Sequence, residues 1–217
     1  MSNAQKRSRK SPWIIAAIAV ITVVAMGTIG TTYLTPDEAA EASSSGNDPK
    51  VFAEENYESL IVAGITENAV ELPKVAQALA DDPAAAAEEY GVGDGPSPTY
   101  SVSFTGVVSE YDAEAGNLLV DVEGMPDESQ AAIQTGNPGI IGTALRDATG
   151  EVSFSMFTNQ LDYQEVGAVF NQMMKESVLD PIDVESLVGK TVTVTGATAP
   201  LNPQLIVVTP VSLEVGK

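Results

Sequence analysis

Arg146 is the first residue to ask about. It is the only arginine after residue 34, in the run GTALRD, and its planar fork of donors can hold a carboxylate or another small anion through two parallel hydrogen bonds. Asp147 follows it directly, so the competing expectation is an ion pair within the chain. Further on, Thr158, Asn159 and Gln160 set a hydroxyl beside two carboxamides. Such donors and acceptors suit a polar ligand such as an oligosaccharide, and they suit the opening of a helix equally well. Arg146, Asp147, Thr158, Asn159 and Gln160 are therefore the candidate ligand-binding set.

Other chemistry finds little to stand on. The chain has no histidine and no cysteine, which removes Ser-His-Asp triads, thiolate nucleophiles, His- or Cys-based metal sites and disulfides. Two carboxylates across a cleft suffice for glycoside hydrolysis, but among 30 acidic residues some lie close by chance, and no spacing marks a pair. Asp112, Glu114 and Glu123 imitate a calcium loop at its first, third and twelfth positions. The sixth is Asn117 rather than glycine, and the flanks alternate like strands, so a hairpin turn is expected. Gly189, Lys190 and Thr191 end like a phosphate loop, but Val184 takes the place of the first glycine and a strand follows. No enzyme, metal or cofactor is expected.

What must position the candidate residues is an acidic body held at a membrane. Trp13 to Leu34 is a run of 22 residues without a charge, preceded by Lys6, Arg7, Arg9 and Lys10. As a helix it is about 33 Å long, enough to cross a hydrocarbon core of about 30 Å. The basic cluster marks its cytoplasmic side, with Trp13 and Tyr33 at the two interfaces. A cleaved signal peptide is the competing reading, because Ala40, Glu41 and Ala42 precede Ser43, but its apolar region would be overlong. All 30 acidic residues follow the anchor, against 6 basic ones, a formal charge of −24. Such a surface repels phosphate backbones, so no nucleic acid partner is expected.

The chain then divides into a cytoplasmic tail (1–12), a transmembrane anchor (13–34), a polar tether (35–50), a helical segment (51–90) and a β domain (99–217). In the helical segment Phe52, Tyr57, Leu60, Ile61, Gly64 and Ile65 recur at steps of three and four. Pro73 suits the first turn of a second helix, Lys74 to Ala80, and Asp82 with Pro83 begins a third, Ala84 to Tyr90. After the turn GVGDGPSP the period changes to alternation in Tyr100 to Val108, followed by a hairpin into Leu118 to Glu123. Ile133 to Gln134, Ile140 to Leu145 and Val152 to Phe154 are expected as short extended pieces, with the third strand unplaced among them. Asp162 with Glu165 has capping-box spacing ahead of a helix from Tyr163 to about Val178, and Thr191 to Ala197 and Leu205 to Val215 are the closing strands. Strand, strand, strand, helix, strand, strand is the order of an OB-like β-barrel in which the helix caps the barrel. The expected class is thus α+β: that barrel with its capping helix, preceded by an N-terminal helical segment and a single transmembrane helix.

The run IIGTALRDATGEVSFSMFTNQLDYQEVGAVFN, Ile140 to Asn171, resembles the predicted periplasmic lipoprotein family known as domain of unknown function 2291 (DUF2291). So do VGKTVTVTGA, Val188 to Ala197, IVVTPVSLEVG, Ile206 to Gly216, and LPKVAQALADDPAAAAEEYG in the helical segment. The resemblance implies a bacterial extracytoplasmic protein with an OB-like barrel, often encoded beside sugar ABC transporter components, and with no established catalytic residues. It suggests an accessory protein on the outer face of the cytoplasmic membrane, with a transporter permease or substrate-binding protein as partner. The family's acylated cysteine is missing here, so the helix is expected to replace the lipid.

Overall fold

The computed structural model describes residues 46–93, 97–136 and 139–216. The expected anchor, Trp13 to Leu34, lies outside the described residues, as do the tail before it and the tether as far as residue 45. Among the described residues no helix is long and apolar enough to cross a membrane.

Helix α1 (Pro49–Asn56) opens on Asp48, whose carboxylate accepts from the amides of Lys50 and Val51 at 3.0 Å, with proline in the first turn, where no N–H is needed. It continues through a π-helical turn, Tyr57–Val62, into α2 (Ala63–Glu67). Ala53, Tyr57, Ile61 and Ile65, four residues apart, are its buried side. Folded structure thus begins within the stretch expected as tether, and the Asn47 amide is already tied to the Met156 carbonyl at 3.0 Å. After β1 (Val70–Glu71) come α3 (Leu72–Asp81), with Pro73 in its first turn, and α4 (Pro83–Tyr90), which Asp82 caps and Gly91 ends.

Five strands close into a barrel: β2 (Tyr100–Asp112), β3 (Asn117–Val122), β4 (Gln130–Gln134), β5 (Thr191–Thr198) and β6 (Leu205–Val215). Their order is β2-β3-β4-β6-β5, with β5 returning to β2; β4 and β6 run parallel and the other barrel pairs antiparallel. This is the OB order. Closure depends on β2, which pairs with β5 from Tyr100 to Val107 and with β3 from Gly106 to Asp112. Gly106 therefore has a strand on each side, and a Cβ there would stand 2.5 Å from the Asp121 carbonyl oxygen. Only glycine lets those backbones approach. In the β2–β3 turn the Asp112 carboxylate accepts from the amides of Glu114 at 3.0 Å and Ala115 at 2.9 Å, so this aspartate shapes a hairpin.

The connection from β4 to β5 departs from expectation. Ile140 to Leu145 is not extended: it is a loop leading into α5 (Ala144–Asp147), and Phe154–Met156 is a single 3₁₀ turn. Helix α6 (Gln160–Met174) then runs into a π-helical turn, Lys175–Leu179. Its cap is Asn159 rather than Asp162, with the Asn159 side-chain oxygen accepting from the amides of Leu161 at 2.8 Å and Asp162 at 3.0 Å.

The expected barrel-capping role of this helix is corrected as well. Two separate cores form. The barrel interior joins Val102, Val108, Leu118, Ile133, Val194 and Ile206 to Leu72, Val75 and Leu79 of α3, with Leu187 from the turn before β5. The buried side of α6, Val166, Phe170 and Met174, belongs to a second core with Tyr57, Ile61 and Phe157, in which Ala197 and Val211 are the strand residues. The helices that pack into the barrel core are α3 and, through Ala86, α4, while α6 packs on the N-terminal helices.

Candidate functional site

Helix α5 is a single turn, closed by the Asp147 amide donating to the Thr143 carbonyl at 3.1 Å. It leaves Arg146 only 8% exposed. Nε of Arg146 donates to Oδ1 of Asp147 at 2.7 Å and Nη2 to Oδ2 at 3.1 Å, the parallel fork that a carboxylate ligand would otherwise receive. Nη1 donates to the Tyr163 carbonyl at 2.9 Å, and the guanidinium lies over the Tyr163 ring, 3.7 Å from its centroid. Thr143 completes the arrangement by donating its hydroxyl to Oδ2 of Asp147 at 2.7 Å. The arginine thus has its charge balanced and its fork filled from within the chain.

The Tyr163 hydroxyl stands 3.4 Å from both Oδ1 of Asp147 and the Val152 carbonyl. Burial raises its pKa above the usual 10.0, with the Arg146 charge pulling it down and the Asp147 charge pushing it up. Arg146, Asp147 and Tyr163 form one wall of a cleft of about 630 Å³, with Phe154 at its edge. The Phe154 ring is edge-on to Tyr163, at 5.8 Å between centroids, and the residue is 50% exposed. An exposed ring beside a neutralised pair is suited to a neutral, partly apolar ligand better than to an anion.

The other candidates sit at the head of α6. Asn159 is its cap and also donates Nδ2 to Oδ2 of Asp162 at 3.0 Å. Thr158 is packed against Gly46, where a Cβ would come within 2.4 Å of the Thr158 amide nitrogen. Gln160 is exposed in the first turn. The structure therefore brings Arg146 and Asp147 together and gives Asn159 a backbone to cap. Among the described residues no group of three or more histidine, cysteine or acidic side chains is placed to hold a metal ion.

Comparison with known proteins now bears on the barrel. Residues 19–214 match the family described as "Predicted periplasmic lipoprotein (DUF2291)". The chain belongs to this family. An OB-fold protein of Thermotoga maritima, known from a crystal structure at 1.90 Å resolution, is similar in fold with a TM-score of 0.62. It is 22% identical, and the match covers 79% of this chain and 99% of that one, so the likeness speaks for the fold alone. No curated protein matches the sequence. The α+β, OB-like architecture stands, and membership of the periplasmic lipoprotein family places the protein among extracytoplasmic, membrane-associated ones.

For this family member, the sequence reading passed over Tyr163 and Phe154. Tyr163 was expected as the first residue of this helix, yet its ring and carbonyl organise Arg146. The available signal was its position, one turn after the Thr-Asn-Gln run. Phe154 was expected only as the end of a short extended piece, Val152 to Phe154, and carried no signal of its own.

Proposed function

We propose that the protein is an accessory subunit on the outer face of the bacterial cytoplasmic membrane, held there by Trp13 to Leu34 as a single-pass helix, and that it assists a sugar ABC transporter by binding rather than by catalysis. The observation that carries this reading is the family match over residues 19–214, joined to an uncharged run of 22 residues in a sequence without the cysteine that a lipid anchor needs. A polypeptide anchor performs the lipid's task. The test is affinity purification of the full-length protein from gently solubilised membranes. Transporter permease or substrate-binding subunits should be enriched over a control carrying only Met1 to Gly46. Recovery of the protein without them would contradict the accessory role.

A second reading, an extracytoplasmic binding module for an oligosaccharide, is favoured by the half-exposed Phe154 ring that lines the cleft beside Arg146. Sugar faces stack on such rings, and Asp147 leaves no free positive charge for a small anion. Titration of full-length protein with neutral oligosaccharides should give a saturable signal that Phe154→Ala weakens. An unchanged affinity in that variant would remove this reading.

A further inference from the structure

A second cleft, of about 380 Å³, opens on the outer face of the barrel where β3, β4 and β6 meet their loops. Leu118, Ile133 and Val208 point into the barrel core, so their neighbours Asn117, Gln134 and Thr209 face outward and form the floor. The row is real: Asn117 pairs with Gln134, and Nε2 of Gln134 donates to Oγ1 of Thr209 at 3.1 Å.

The Gln134 carboxamide does a further thing. Its Oε1 accepts from the Ile141 amide at 2.8 Å and its Nε2 reaches the Ile141 carbonyl at 3.1 Å, so it pairs with that backbone as a neighbouring strand would. Nδ2 of Asn171 holds the next residue by its carbonyl, Gly142, at 3.0 Å. The loop is pinned, yet the Ile141 side chain remains 74% exposed at the cleft. Leu201, from the β5–β6 loop, lies on the same cleft and is 89% exposed. Two aliphatic side chains, one of them on a pinned backbone, are exposed to solvent in a protein whose net charge is −20.

Of the described residues that line this cleft, none is charged and none is aromatic. OB barrels use the corresponding strand face and loops for oligonucleotides and oligosaccharides. Without a cation it cannot hold a phosphate backbone, and without a ring it offers no platform for a sugar or a base. Its walls are the aliphatic side chains of Ile141, Leu201, Leu205 and Val207, and its polar groups are carboxamides and hydroxyls. The Asn117 carboxamide has no hydrogen-bond partner among the described residues. A carboxamide offers both a donor and an acceptor, which a peptide unit can meet with its own C=O and N–H, and the volume is within the usual range of ligand sites, roughly 300 to 1,000 Å³.

We propose that this cleft binds a short, uncharged peptide segment with aliphatic side chains, its backbone amides meeting Asn117 and its side chains packing between Ile141 and Leu201. This proposal does not rest on the transporter reading or on the cleft beside Arg146.

The test is titration calorimetry on full-length protein in lipid nanodiscs, which avoids competition from detergent. The probes are N-acetyl-Ala-Leu-Val-amide, the same peptide with aspartate in place of leucine, and maltose. The aliphatic peptide should bind saturably and the aspartate peptide at least tenfold more weakly. Leu201→Asp and Ile141→Asp change exposed side chains, so both should keep the parent melting temperature while losing at least tenfold in affinity. No saturable binding of the aliphatic peptide, equal binding by both variants, or displacement of the peptide by maltose would overturn the proposal.

Discussion

Two clefts meet at one short helix and differ in charge and in aromatic lining. Thr143 and Ala144 line the uncharged cleft, while Arg146 and Asp147, two residues further on, line the other. The Arg146 side has charge, but the charge is neutralised within the chain and backed by the aromatic core of α6. The other side has no charge at all and is backed by the barrel sheet. In so acidic a molecule a residue type that draws attention is not thereby a free ligand group. The one arginine among the described residues is surrounded by potential internal partners and takes the one beside it. A site open to a ligand is more readily made where charge is left out.

The largest way to break this contrast is to remove the support of one side. Phe170 is fully buried and its ring stacks with Tyr57, 6.2 Å between centroids. Phe170→Ala should lower stability in urea unfolding by about 3–5 kcal/mol. The barrel-face cleft should keep its peptide affinity under conditions where the variant is still folded. Next comes Arg146→Ala, which strips Asp147 of its counter-charge and uncovers the Tyr163 face. Because Asp147 is partly exposed, the expected loss is about 2–3 kcal/mol, at or below the low end for a broken buried pair. Arg146→Lys should recover only part of it, since an ammonium cannot supply the fork. An Arg146→Ala variant as stable as the parent would contradict this structural role for the pair.

A smaller effect separates the polar run before α6. Asn159→Ala should cost about 1 kcal/mol through loss of the cap, whereas Gln160→Ala should stay within about 0.5 kcal/mol. Thermal melts of the two variants decide this. The smallest effect is with pH. Burial raises the pKa values of Tyr57, Tyr100 and Tyr163 above 10.0. A raised folded-state pKa means that the fold favours the protonated phenol. The stability so gained is complete below pH 10 and is lost as pH rises through the raised values. Phenolate absorbance should therefore lag behind that of free tyrosine in native protein and coincide with it in urea.

Much of the scaffold was legible because local signals agreed with the fold. Pro73, Asp82 and Gly91 punctuate α3 and α4, and the alternation in Tyr100 to Val108 and in the last two strands places barrel walls. The third strand, QAAIQ, was obscured because alanines in place of branched residues give it neither alternation nor β preference. A four-residue helix such as α5 has no period to detect. Asp162 with Glu165 imitated a cap that Asn159 supplies, and the apolar stripe of α6 could not say which of two cores it enters. Of the candidate site, the Arg146–Asp147 pair was legible because the two residues are adjacent. The uncharged cleft was not, because its parts come from residues 115–117, from Gln134 and 141–144, and from 199–202 with Leu205, Val207 and Thr209, and only barrel closure brings them together.

The proposal that this acidic body stands outside the cytoplasmic membrane on an uncleaved helix is directly measurable because the sequence has no cysteine. Single cysteines are introduced as Ser8→Cys, before the anchor, and Glu88→Cys, exposed on α4, and intact spheroplasts are treated with a membrane-impermeant maleimide. The account predicts labelling of the Glu88→Cys protein alone, at full length and in the carbonate-washed membrane fraction. Labelling of the Ser8→Cys protein in intact spheroplasts, or release of a shortened Glu88→Cys protein into the wash, would contradict it.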